Sequence, residues 1–100
     1  MIPSKEELTL QIDEAEWSQL RAHLERGGII WVDDKIDLAE AALKVASDDA
    51  ATIELWLLAG LISKPSDSQI KTWNGDIDKM FSMLIVSPYV LIQEKIPTYH

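Results

Sequence analysis

Three carboxylates lie close together in the chain, at Asp33, Asp34 and Asp37. Carboxylate oxygens suit hard cations such as Ca²⁺ and Mg²⁺, but this spacing lacks the alternating ligands, the glycine and the final glutamate of an EF-hand loop. Turn formation and helix capping explain the same residues, because an Asp before a helix can accept hydrogen bonds from free backbone N–H groups. We therefore expect Asp37 to cap a helix, and we expect no metal or cofactor site.

The residues available for catalysis are few. The chain has no cysteine, which excludes disulfides, thiolate nucleophiles and cysteine-rich metal sites. Its two histidines are His23, between two leucines of a predicted helix, and His100, at the chain end. No serine lies in the context of a nucleophile elbow, and Gly27-Gly28 is an isolated pair rather than a phosphate-binding loop. We expect no enzymatic activity.

The chain is rich in tryptophan, with four in 100 residues. A tryptophan buries a large area and its indole N–H needs a partner, so a domain this small has limited room for all four. Indoles left half-exposed would be candidate hot spots for another protein chain, where Trp and Tyr are enriched. The predicted interaction surface consists of Trp31, Trp56, Trp73, Tyr89 and Leu91.

Capping signals and apolar spacing predict five helices. The first covers residues 5–11, and the second follows a capping box at Asp13 and Glu16 and ends near Gly27-Gly28. The third begins at Asp37, and the fourth follows the turn at 47–49, carries an apolar stripe and stops at Gly60. That stripe consists of Ile53, Trp56, Leu57 and Leu58. The fifth begins after a capping box at residues 66 and 69.

Short strands are predicted at 29–32, 61–64, 81–86 and 89–93, with a break at Ser87-Pro88. The last two are apolar on both pleat faces and need cover on both sides, for which a second copy of the chain is one source. We expect one domain over residues 1–100, with frayed ends at 1–3 and 96–100. The order of elements predicts an α+β fold, a small helical domain with a short antiparallel sheet, winged-helix-like. An unrelated packing of helices on an antiparallel sheet is the alternative.

Charge argues against nucleic acid as a partner. The net charge is −8 at pH 7, which repels phosphate on average. The helix that would read DNA in a winged-helix domain, near residues 49–59, carries Asp49 and Glu54 and no Lys or Arg. The longest apolar stretch, residues 83–92, is too short to span a membrane. With no visible signal peptide, we expect a cytoplasmic protein.

Several segments resemble a known family. They include "Arg26-Gly27-Gly28-Ile29-Ile30-Trp31-Val32", "Trp56-Leu57-Leu58-Ala59-Gly60" and "Val86-Ser87-Pro88-Tyr89-Val90-Leu91-Ile92-Gln93-Glu94". The chain is similar, from about Leu8 to Glu94, to the bacterial family catalogued as domain of unknown function 2288. The resemblance implies a small bacterial protein with no assigned activity, and it supplies no catalytic residue, substrate or cofactor.

The sequence favours an uncharacterised, non-enzymatic protein-interaction module that associates with itself or with another protein. Two alternatives stay open. One is an acidic winged-helix-like transcriptional regulator that binds DNA through a partner or a wing. The other is a small-molecule sensor with a pocket lined by Trp17, Trp56 and Trp73.

Overall fold

A five-stranded sheet with helices on both faces organises the computed structural model, which describes residues 4–95. The expected frayed ends at 1–3 and 96–100 lie outside the described residues. The helices are α1 (Lys5–Leu10), α2 (Trp17–Leu24), α3 (Leu38–Ala46), α4 (Ala50–Ala59) and α5 (Asp67–Asn74). The strands are β1 (Asp13–Glu16), β2 (Ile29–Val32), β3 (Ile62–Ser63), β4 (Met80–Val86) and β5 (Tyr89–Glu94).

The strand order is β1-β4-β5-β2-β3. Strands β2 and β5 run parallel, with Ile29 opposite Val90, and the other neighbouring pairs are antiparallel. The predicted α+β class is confirmed, but the purely antiparallel sheet was wrong. The winged-helix detail is not confirmed either, because the sheet forms the middle layer of the domain. Three consecutive residues of β5, Val90 to Ile92, are apolar and need cover on both faces of the sheet. The central position of the strand provides that cover, and all three are buried.

Two cores lie on opposite faces of this sheet. Helices α1 and α3 cover one face, where Leu8 and the alanines of α3 pack with Leu84 and Leu91. Helices α2 and α5 cover the other face, around Trp17 and Trp73. The alternation of β5 sends Leu91 to the first core and its two neighbours to the second. The chain therefore covers both faces of β5 itself, and a second copy is not needed there.

Local capping explains where most helices begin. The Ser4 hydroxyl accepts a hydrogen bond from the Glu7 backbone N–H, and Ser66 and Gln69 form the predicted reciprocal box. The predicted box at residues 13 and 16 was wrong, because residues 13–16 pair with β4 as an edge strand. The second helix starts later, with Gln19 Oε1 accepting from the Glu16 N–H at 3.0 Å. No helix within residues 4–95 has the length and apolarity to cross a membrane.

Candidate interaction surface

Helix α4 is apolar on every side. Its sequence, Ala-Ala-Thr-Ile-Glu-Leu-Trp-Leu-Leu-Ala, has Glu54 as its one charged residue. The helix begins at Asp49, whose carboxylate accepts hydrogen bonds from the Thr52 N–H at 3.2 Å and the Thr52 hydroxyl at 2.9 Å. It ends at Gly60, which has a φ of 74° and so adopts the left-handed conformation that suits glycine. The caps at Asp49 and Gly60 therefore define both ends of this helix, although it has no polar face.

The described chain leaves most of α4 uncovered. None of its side chains is fully buried, although Ile53 and Trp56 pack partly against the core beneath. Leu55 is 67% exposed, Leu57 53% and Leu58 82%. A helix that is apolar all round is normally enclosed by other elements. We define the α4 surface as these three exposed leucines, and it is the part of the fold that most lacks cover.

An open groove runs beside this helix, with a volume of about 420 Å³. Its walls come from α3, α4 and three strands, so the sheet and both helices shape it. Its apolar lining includes Val45, Ile53, Leu57 and Tyr89. We call it the α3–α4 groove. Because Leu57 belongs to both features, the groove continues the α4 surface toward β3 and β5.

Four charged side chains line the groove: Lys44, Asp48, Glu54 and Lys64. Lys44 already has acidic partners within the chain, Glu40 at 3.8 Å and Asp49 at 3.7 Å. Asp48, Glu54 and Lys64 are exposed, and across residues 4–95 none of them has an oppositely charged group within 4.0 Å. The hydrogen bonds from Thr52 hold the pKa of the Asp49 carboxyl below its ordinary value.

The predicted interaction surface is not one patch. Tyr89 is 43% exposed and lines the α3–α4 groove, and Trp56 lies partly buried on α4. Trp31 packs on the opposite face of the sheet, so it does not join them. Trp73 and Leu91 were wrong as surface residues, because both lie in the core, at 2% and 1% exposure. Their apolar stripes face helices and strands of the same chain.

The tryptophans do not line a common pocket. Trp17 and Trp73 contact each other, with ring centroids 4.9 Å apart, and their indole N–H groups donate to Asn74 and Glu94. Trp56 lies across the sheet in the other core, so the expected pocket of Trp17, Trp56 and Trp73 was wrong. The Nε1 of Trp31 is buried and has no hydrogen-bond partner among the described residues.

The carboxylates of the β2–α3 loop make internal contacts. Asp33 accepts a hydrogen bond from the Lys35 N–H at 2.9 Å, which lowers the pKa of Asp33. Hydrogen bonding with Asp33 raises the pKa of Asp34. Asp37 precedes α3 as expected, but its carboxylate caps no N–H and instead pairs with Lys5 at 3.4 Å. Within residues 4–95, no three acidic or histidine side chains form a group that could hold a metal ion.

The exposed leucines of α4 were not predicted as surface residues. Leu57 and Leu58 were predicted as part of the apolar stripe of this helix, together with Ile53 and Trp56, and Leu55 was not singled out. The missed signal is the run of apolar residues from Leu55 to Leu58, which is longer than one face of a helix can bury. In a helix with a single charged residue, some of these side chains must face outward unless a partner surrounds them.

Comparisons with known proteins place the chain in a family. Residues 3–94 match the family model described as "Protein of unknown function (DUF2288)". The chain belongs to DUF2288. This DUF2288 member is also similar to the NMR solution structure of PA1075 from Pseudomonas aeruginosa, with 30% sequence identity and a TM-score of 0.80. The match covers 93% of this chain and 87% of that one. A search of curated proteins gives no match.

Proposed function

We propose that this DUF2288 member is a non-enzymatic interaction module that associates with a second copy of itself through the α4 surface. The observation that carries the proposal is the exposure of Leu55 and Leu58, at 67% and 82%, on a helix with no polar face. A cytoplasmic location belongs to the same proposal, and a chain without cysteine is compatible with a reducing compartment.

The free energy gained by covering these leucines is of the same order as the cost of association. The three exposures together equal about two fully exposed leucines, and burying one contributes about 1.5–3 kcal/mol. Each copy therefore contributes about 3–6 kcal/mol, and two copies about twice that. Association costs about 4–15 kcal/mol in lost freedom of motion. The balance predicts a dimer that depends on protein concentration rather than an obligate one.

The charge distribution favours this site for a like-charged partner. Two copies with a net charge of −8 each repel one another on average. Helix α4 carries a single charged residue, Glu54, so repulsion is weakest when two α4 surfaces meet. A second copy also presents a matching apolar surface, as a two-fold interface requires.

The two alternative functions have less support. A DNA reader would need cations on α4, whereas this helix has none and exposes leucine instead. A sensor built on Trp17, Trp56 and Trp73 is inconsistent with their separation by the sheet. The α3–α4 groove is large enough for a small ligand. A ligand in the groove would still leave Leu55 and Leu58 of the adjoining α4 surface exposed, so it does not account for them.

Sedimentation velocity tests the proposal over a range of protein concentrations. We expect the wild type to dimerise as concentration rises and the double variant Leu55→Gln/Leu58→Gln to stay monomeric. Glutamine is a good helix former, so both substitutions leave α4 intact. Leu10→Gln is the matched control, because Leu10 is 87% exposed but lies on α1. A monomeric wild type, or a double variant that associates as the wild type does, would contradict the proposal.

A further inference from the structure

The α4 surface alone is smaller than a stable dimer needs. The whole of helix α4, with ten residues, spans about 15 Å, and a helix with its side chains is about 10–12 Å wide. That footprint is well below the roughly 800 Å² that each partner buries in a standard interface. The second copy must therefore also bury protein surface next to the helix.

The α3–α4 groove is the apolar continuation of this surface. Leu57 lies on both, and the groove extends to Tyr89, which is 43% exposed. A partner that covers the helix and the groove also approaches the groove's charged side chains. Lys44 is already paired with Glu40 and Asp49. The other charged side chains of the groove, Asp48, Glu54 and Lys64, have no oppositely charged group within 4.0 Å among residues 4–95. Of the two acids, Glu54 belongs to α4 and lies one turn from Leu57 and Leu58, so it is the acid that a partner on the α4 surface meets.

We infer that the second copy docks with reciprocal charge pairs, in which Glu54 of each copy meets Lys64 of the other. This inference rests on the proposed self-association. A two-fold axis brings the same patch of both copies together, so one acidic and one basic side chain per copy give two equivalent pairs. Glu54 belongs to α4 and Lys64 follows β3, so the groove separates them within one copy. The pairs fix the orientation of an otherwise apolar contact.

Charge reversal separates this pairing from general repulsion between acidic chains. Glu54→Lys makes each copy less negative, so general repulsion predicts tighter association. Reciprocal pairing predicts the opposite, because the new cation would face Lys64 of the second copy. Glu25→Lys is the matched control, since Glu25 is an exposed acid on the far side of the sheet and the change in net charge is the same.

The experiment measures dimer dissociation constants by sedimentation equilibrium for the wild type, Glu54→Lys, Lys64→Glu, the double reversal and the control. We expect each single reversal to weaken the dimer by about five- to fiftyfold, since two pairs are lost and two repulsions appear. The double reversal restores the wild-type constant, and Glu25→Lys does not weaken the dimer. High salt reduces the differences between variants.

Three outcomes would overturn the inference, and they are distinguishable. If the wild type dimerises through the leucines but Glu54→Lys behaves like Glu25→Lys, the charge pairing is wrong and the self-association stands. If single reversals weaken the dimer but the double reversal does not restore it, the two side chains do not face each other. A wild type that stays monomeric overturns both the pairing and the proposed function.

Discussion

The aromatic cluster beneath α2 and α5 gives a sharp prediction about stability. Phe81 is fully buried between Trp17 and Trp73, with ring centroids 5.9 Å and 5.0 Å away, and its ring meets Trp73 nearly edge-on at 84°. Phe81→Leu keeps an apolar side chain at this position but removes both ring contacts. Most of the loss should therefore come from the aromatic contacts, with smaller losses from the reduced side-chain volume and from the contact of the Lys79 ammonium with the ring, 5.8 Å from its centroid.

The expected cost follows from the two ring pairs. Each aromatic pair contributes about 0.5–1.5 kcal/mol beyond its buried area, so Phe81→Leu loses about 1–3 kcal/mol. With a urea m value of about 1–1.5 kcal/mol per molar for a domain of this size, the unfolding midpoint falls by about 0.7–3 M. Tryptophan fluorescence reports the transition directly, because Trp17 and Trp73 both lie in the cluster.

Ile85→Leu is the control for this measurement. Ile85 lies on the same strand and the same face as Phe81 but is 55% exposed, so its substitution should change stability by less than about 0.5 kcal/mol. Low protein concentration keeps association from contributing to the midpoints. If Phe81→Leu unfolds within about 0.5 kcal/mol of the wild type, the ring contacts do not stabilise the cluster and the reasoning fails.

Two further predictions concern a close approach and a helix cap. A Cβ at Gly28 would lie 2.9 Å from the Pro88 carbonyl oxygen, so Gly28→Ala should lower the free energy of unfolding, measured in urea, by about 1–3 kcal/mol. Unchanged stability would show that the β4–β5 turn moves away from the new methyl group at no measurable cost. Hydrogen bonds from Thr52 lower the pKa of Asp49 from its ordinary 3.8, so this stabilisation is present above that pH and is lost as pH falls through the lowered pKa. Stability-versus-pH curves should therefore show that any wild-type advantage over Asp49→Asn decreases on acidification, and parallel curves would contradict the assignment.

Local signals predicted most of the helices, because a cap acts within one turn. The ends of α4 were predicted from Asp49 and Gly60, and the structure has them there. Strand β1 was missed because three of its four residues are acidic and only Ala15 points into the core. An edge strand needs little apolar surface, so neither its period nor its composition distinguishes it from the start of a helix.

The features that the sequence could not predict depend on contacts between residues far apart in the chain. Parallel pairing joins Ile29 to Val90, and no turn signal connects segments so far apart. The candidate site depended on the same information. In α4, apolar residues point in every direction, so only the position of the helix against the core determines that Leu55 and Leu58 face outward. Tryptophans 17 and 73 were buried together because each supplies part of the other's cover.

The central place of β5 has a consequence for synthesis of the chain. This strand, Tyr89–Glu94, hydrogen-bonds both β4 and β2, yet among the strands of residues 4–95 it is the last to leave the ribosome. Until it emerges, β2 and β4 have no common neighbour, and the helices on either face have no continuous sheet to pack on. A nascent chain that stops before Tyr89 leaves the pair β1–β4 unjoined to the pair β2–β3, so the domain acquires its fold only after β5 has been synthesised.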